Sequence, residues 1–220
     1  MSLVSRTEDV KRPYESPLRA RQAATTRTAI VRAATDLFSE RGYAATSMDA
    51  IADRAGVGRA TLFTALGSKK ALLKSAYDVA LVGDNEPISL PDRPGSIDLK
   101  AEPDPARFLT RYAGLCVEFG GRVATIYEVV RSAADADADV REVWEKIGQE
   151  RRVGAGNVVA LVEAKGTLRP GLDYAMAGDI VWTLNDPGLY HLLVNRRGWV
   201  PDAFGEWLAF TLASQLLPQP

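Results

Sequence analysis

Thr46-Ser47-Met48-Asp49-Ala50-Ile51-Ala52-Asp53-Arg54-Ala55-Gly56-Val57-Gly58-Arg59-Ala60-Thr61-Leu62-Phe63 reads as a short capped helix, a tight turn at Gly56 and a second short helix. That is the spacing of a helix-turn-helix, whose second helix is shaped to enter a DNA major groove. Thr46 is positioned to cap the first helix, with Asp49 reaching back to its amide as in a capping box. Met48, Ile51, Ala52 and Ala55 fall at helical spacing and form a narrow apolar stripe. Gly56 stands where a helix end needs positive φ, which glycine adopts at least steric cost. Val57 plugs the angle between the helices, and Leu62 and Leu66 point inward. Arg59, Ala60, Thr61 and Thr64 are left outside. An ordinary helical hairpin in an all-α core has the same spacing, so the flanking segments decide.

Before the hairpin, Ile30, Ala33, Ala34, Leu37 and Phe38 form one apolar helical face, in a helix expected to start near Thr25 or Thr26 and stop at Gly42. After it, Ser68 can cap a helix whose first turns carry Lys69, Lys70 and Lys74. Cations there oppose the helix dipole, and a phosphate backbone is the natural counter-charge.

The ordered set Phe38, Gly42-Tyr43, Thr46-Ser47, Ile51-Ala52, Ala55-Gly56-Val57, Thr61-Leu62-Phe63, Ser68-Lys69 and Leu72-Leu73 resembles the DNA-binding signature of the TetR family of bacterial transcriptional regulators. The resemblance implies an all-α chain: an N-terminal three-helix helix-turn-helix domain and a larger C-terminal helical ligand-binding and dimerisation domain. It also implies repression relieved by a small molecule. By it, Thr46 and Ser47 touch phosphates, Gly58, Arg59, Ala60, Thr61, Phe63 and Thr64 line the recognition helix, and Lys69 holds a phosphate. Three places depart from the family pattern. Phe63 stands where tyrosine is usual, Thr64-Ala65-Leu66 replaces a common Tyr-His-Phe run, and Lys70 replaces an acidic residue.

Charge is distributed to match. The chain of 220 residues has a net charge of −1. Residues 1–74 nevertheless carry 13 Lys+Arg against 7 Asp+Glu, a net of +6, whereas the remainder carries 14 against 21, a net of −7. A basic end on an acidic body suits a domain that meets phosphates while the rest repels them. The expected organisation is a basic flexible arm over 1–22, with Lys11, Arg12, Arg19 and Arg21 as an arm able to follow a minor groove. The DNA-binding domain then spans 23–74 and the effector and dimer domain 75–220, with a Pro- and Gly-rich mobile linker over about 83–105.

Helical patterning continues to the end of the chain. One face from Phe108 to Phe119 is expected to break at Gly120-Gly121, a second runs to Asp135, and one long helix covers 137–166 with glycines in its middle. Further helices cover Asp173 to Leu184, a shorter stretch near Tyr190, and Pro201 to Leu217. The last of these are apolar on several faces, which suits either full burial within one chain or a second, partner-chain interface; the family resemblance implies the latter, a homodimer reading a palindromic operator. Cys116, Phe119, Tyr127, Arg131, Trp144, Trp182 and His191 are the candidate lining of a pocket for a lipophilic or aromatic effector. Plain core packing is the competing reading of those aromatics.

Catalysis is disfavoured. One His and one Cys leave little for a triad or zinc site, no phosphate loop follows a strand, and neither cofactor nor metal is expected. The Asp135–Asp139 acidic run lacks the later glycine and glutamate of a calcium loop and starts a helix instead. A signal peptide and an apolar membrane-spanning run are both missing, and a lone Cys suits a reducing cytoplasm. The alternatives kept open are a DNA-binding regulator without a small-molecule effector and a helical binding module that borrows the fold.

Overall fold

The computed structural model describes residues 17–218 except 85 and 87, and Lys11 and Arg12 therefore lie outside the described residues. The elements run α1 (Pro17–Arg41), α2 (Met48–Ala55), α3 (Arg59–Leu66), α4 (Lys69–Val82), a 3-10 turn (Leu90–Asp92), α5 (Pro94–Ala101), α6 (Pro105–Ala134), α7 (Ala138–Lys165), α8 (Tyr174–Leu184), α9 (Pro187–Tyr190), a π-helical turn (His191–Arg196) and α10 (Pro201–Leu216). No strand occurs among the described residues.

The apolar faces expected for α1 and α6 are buried or half-buried, but several boundaries move. α1 begins at Pro17, so residues 17–22 are helix and not arm. Proline suits a first helical turn, and the Arg-, Gln- and Ala-rich start sustains a helix by propensity without an apolar face. Residues 83–105 are not a bare linker. Arg93 closes both nitrogens on Asp84 at 2.7 and 2.8 Å, and Pro94, which reads as a helix breaker, opens α5 from its first turn. α6 runs unbroken through Gly120-Gly121 for 30 residues. The reason is proximity: a Cβ on Gly120 would lie 2.5 Å from the Tyr190 ring, so the glycine admits a neighbour instead of ending the helix.

Two buried clusters organise the molecule. One joins α1–α4 to the second half of α6 and the first half of α7, through residues such as Leu37, Leu62, Leu73, Val123, Val130 and Val143. The other joins the opposite halves of α6 and α7 to α8 and α10, through Phe108, Val159, Val181 and Leu208. The N-terminal helices thus share a core with the body, and the position between residues 74 and 75 falls inside α4.

Candidate nucleic-acid interface and cavity

The N-terminal hairpin is shaped by its caps. Ser47, not Thr46, caps α2, its hydroxyl accepting from the Ala50 amide at 3.1 Å. Gly56 takes φ +67, and the Val57 amide turns back to the Ala52 carbonyl at 3.0 Å. These contacts close the end of α2 and set the angle to α3. Ser68 caps α4 on the Ala71 amide.

Thr46 is a correction. It is 1% exposed, and its hydroxyl is within donor distance of the Leu37 and Gly42 carbonyls, at 3.1 and 2.8 Å. It ties the end of α1 to the hairpin and presents nothing to a phosphate. Asp49 likewise does not close a capping box; its carboxylate pairs with Arg59 at 2.9 Å, joining the first turns of α2 and α3.

Leu62 and Leu66 are buried, which leaves Arg59, Ala60, Thr61, Phe63 and Thr64 on the solvent face of α3, with Gly58 at its start and Ser47 also exposed. The Arg59 guanidinium lies 5.5 Å from the centre of the Phe63 ring. Phe63, 41% exposed, supports the charge without the hydroxyl a tyrosine would bring. The Thr64 hydroxyl donates to the Ala60 carbonyl at 2.9 Å. Arg27 of α1 donates to the Ala65 carbonyl at 3.0 Å, bringing the exposed start of α1, with Arg19 and Arg21, to the end of α3.

The three lysines of α4 separate. Lys69 sits 4.1 Å above the Tyr43 ring, and partial burial lowers its pKa. Lys70 and Lys74 depart from the phosphate expectation. Lys70 pairs with Asp139 and Glu142 at 2.8 Å each, which raises its pKa, and Lys74 reaches Glu150 at 3.1 Å. These partners all lie on α7, whose acidic start draws the lysines inward. Arg122 of α6 adds a further link, donating to the Ala80 and Leu81 carbonyls at the end of α4.

A cavity of about 690 Å³ lies in the body, walled by α6, α7 and α10, by the ends of α4 and α8, and by the 3-10 turn and α5. Of the seven expected lining residues, Cys116 and Phe119 are present. The other five are corrections. Tyr127 continues the same stripe of α6, but there Tyr77 and Trp144 fill the space at ring-centre distances of 6.2 and 5.0 Å. Trp144 packs into that N-terminal core. Arg131 pairs with Glu128 at 2.7 Å. Trp182 lies against the Arg151 and Arg152 guanidiniums, and the His191 Nδ1 lies 3.3 Å from the Asn195 amide nitrogen.

The wall instead carries polar residues absent from the sequence reading. Arg151 holds Asp186 at 2.8 Å, the Trp182 carbonyl at 2.6 Å and the Asn185 Oδ1 at 3.1 Å. Asn185 in turn donates from Nδ2 to the Tyr112 hydroxyl at 2.8 Å. Burial pushes the Tyr112 hydroxyl well up from its ordinary value, and the Cys116 thiol beside it up to about 12. The thiol is therefore neutral at physiological pH. Besides Cys116 and Phe119, the row of glycines in α7 marks this wall in the sequence, and Gly154 of that row lines the space.

An all-helical chain with an exposed, capped reading helix and a separate cavity in a helical body has the architecture of a helix-turn-helix transcriptional regulator. Residues 30–76 match the family described as bacterial regulatory proteins, tetR family. The chain is 29% identical over 172 residues to an uncharacterised HTH-type transcriptional regulator, YdeS, of Bacillus subtilis (strain 168), covering 77% of this chain and 79% of that one. Its fold is similar to native NalD, the secondary repressor of the MexAB-OprM multidrug efflux pump in Pseudomonas aeruginosa, with TM-score 0.68 and 23% identity over 89% of this chain and 98% of that one. It is also similar to the regulator FadR of Bacillus subtilis in complex with stearoyl-CoA, with TM-score 0.64 and 17% identity over 84% and 97% of the two chains. Residues 30–76 therefore match a TetR-family DNA-binding domain, and the chain as a whole is similar to an HTH-type transcriptional regulator. Among the described residues no helix is long and apolar enough to cross a membrane.

Proposed function

We propose that the protein is a cytoplasmic homodimeric repressor that holds a palindromic operator and releases it when a small apolar molecule enters the cavity. The observation that carries this reading is the pairing of two features: an open α3 face from Arg59 to Thr64, and a cavity whose wall includes α4 residues Tyr77 and Leu81. Ser47, Gly58, Arg59, Ala60, Thr61, Phe63, Thr64 and Lys69 form the proposed DNA contact set. Two copies would present their α3 helices roughly 34–36 Å apart, one helical turn of DNA.

Dimerisation is supported by the apolar residues left uncovered on α8 and α10: Tyr174 and Met176 are about half exposed, and Phe210 is 74% exposed. The effector reading is supported by the cavity and by the acyl-CoA bound to FadR; the repressor reading by NalD. Release follows from a population shift. The ion pairs of Lys70 and Lys74 with α7, and the Arg122 bonds to α4, couple the cavity walls to the helix that follows the reading hairpin.

A salt titration on operator DNA tests the reading. Affinity should fall with a log–log slope of about −0.9 per phosphate neutralised. A flat profile would exclude a DNA reader, whereas a steep profile with no thermal shift across a lipophilic ligand screen would leave a regulator without a small-molecule effector.

A further inference from the structure

Resting on the effector reading, we infer that the ligand is an uncharged apolar molecule bearing a carbonyl-type oxygen, such as a ketone, ester, lactone or quinone, and that Tyr112 donates the hydrogen bond that orients it. Charge comes first. The cavity wall includes four ionised side chains, and the chain satisfies each of them. Arg151, 10% exposed, is spent on Asp186 and on two acceptors of the α8 end. Glu150 pairs with Lys74 at 3.1 Å, and exposed Lys100 at the rim donates to the Pro91 carbonyl at 2.7 Å. At the inner wall, away from the Lys100 rim, a carboxylate would have to pull Arg151 away and strand Asp186, and a cation would have to displace Arg151 from the same carboxylate. Both leave a partly buried charge without its partner.

One proton remains to be placed. Arg151 donates to the Asn185 Oδ1, which fixes the amide so that its Nδ2 faces the Tyr112 hydroxyl. Tyr112 therefore accepts from Asn185, and its own proton must go elsewhere. Its neighbour is the Cys116 thiol, one turn along α6, a weak acceptor and itself a donor. A phenol and a neutral thiol thus stand together on a wall that Phe108, Leu115 and Leu208 also line. Within the protein that proton has only the thiol sulfur to bond, and an acceptor oxygen on a ligand is the stronger partner.

Calorimetric titration of the full-length protein with methyl nonyl ketone, undecanoate, undecylammonium and undecane tests the inference. The ketone should bind most tightly, and Tyr112→Phe should weaken it about tenfold, the worth of one hydrogen bond, while leaving undecane unchanged. Unchanged undecane binding also reports an intact cavity in the variant. Preference for undecanoate or undecylammonium overturns the inference, as does equal weakening of ketone and undecane by Tyr112→Phe. Absence of binding by all four overturns the effector reading beneath it.

Discussion

Asp49 and Arg59, which pair across the reading hairpin, are 10 positions apart in the chain, whereas Tyr112 and Asn185, which pair on the cavity wall, are 73 apart. The hairpin is made by local rules: a hydroxyl cap, a left-handed glycine and a few small apolar residues suffice to set the angle of two eight-residue helices. The cavity is a tertiary product of many elements, and its polar residues acquire partners only when α6, α7 and the end of α8 meet. A segment built by local rules keeps a recognisable motif. One built by assembly keeps mainly its hydrophobic periodicity.

The largest effect is expected where assembly is tightest. Gly120→Ala should destabilise the protein by about 2 kcal/mol, because the new methyl group would fall 2.5 Å from the Tyr190 ring. A melting temperature lower by roughly 5 °C would register it, with Gly154→Ala, which meets open space, showing no loss. Wild-type stability in the first variant would contradict so close an approach of α6.

Next comes Arg59→Ala, expected to cost about 2 kcal/mol on operator DNA and little on random DNA if the guanidinium leaves Asp49 to read a base. Equal losses on both, measured by fluorescence anisotropy, would assign it to phosphate.

Thr46→Val and Ser47→Ala separate a core hydroxyl from a surface one. The first should lower stability by about 1 kcal/mol, by removing the donor to the Leu37 and Gly42 carbonyls, and leave the salt slope of DNA binding intact. The second removes the α2 cap and a neutral phosphate donor, so it should weaken operator and random DNA alike by about 1 kcal/mol and leave the slope unchanged, because no charge is lost. An unchanged melting temperature with weakened binding in Thr46→Val would return Thr46 to the interface. The smallest effect belongs to Lys70→Ala, a slight lowering of the melting temperature that fades with added salt, since its ion pairs are largely solvated.

The same contrast explains what could be read in advance. Gly56, Ser68, Leu62 and the buried faces of α1 and α4 were legible because periodicity and capping are properties of a few neighbouring residues. Thr46 and Ser47 were not separable, since both side chains can cap and only the fold decides which of them is enclosed. The proline-rich stretch after α4 misled, because Pro94 is a breaker inside a helix but a starter in its first turn. Tyr127, Trp144 and Trp182 have the chemistry of pocket walls, yet neighbouring rings and guanidiniums occupy the space before them. Arg151 and Asn185 carried no advance signal, for a buried charge is recognised by its partners and those lay on another helix.

Arg122 bears on how motion passes through the molecule. The last turn of α4 ends not in water but on a guanidinium anchored in α6, at 3.2 and 3.1 Å. A rod about 45 Å long, as 30 residues of helix must be, thereby has a handle on the strut behind the reading head. Small rotations of that rod would be delivered as displacement of the strut instead of dissipating in a slack joint, so the linkage works without any ligand having to touch the reading hairpin.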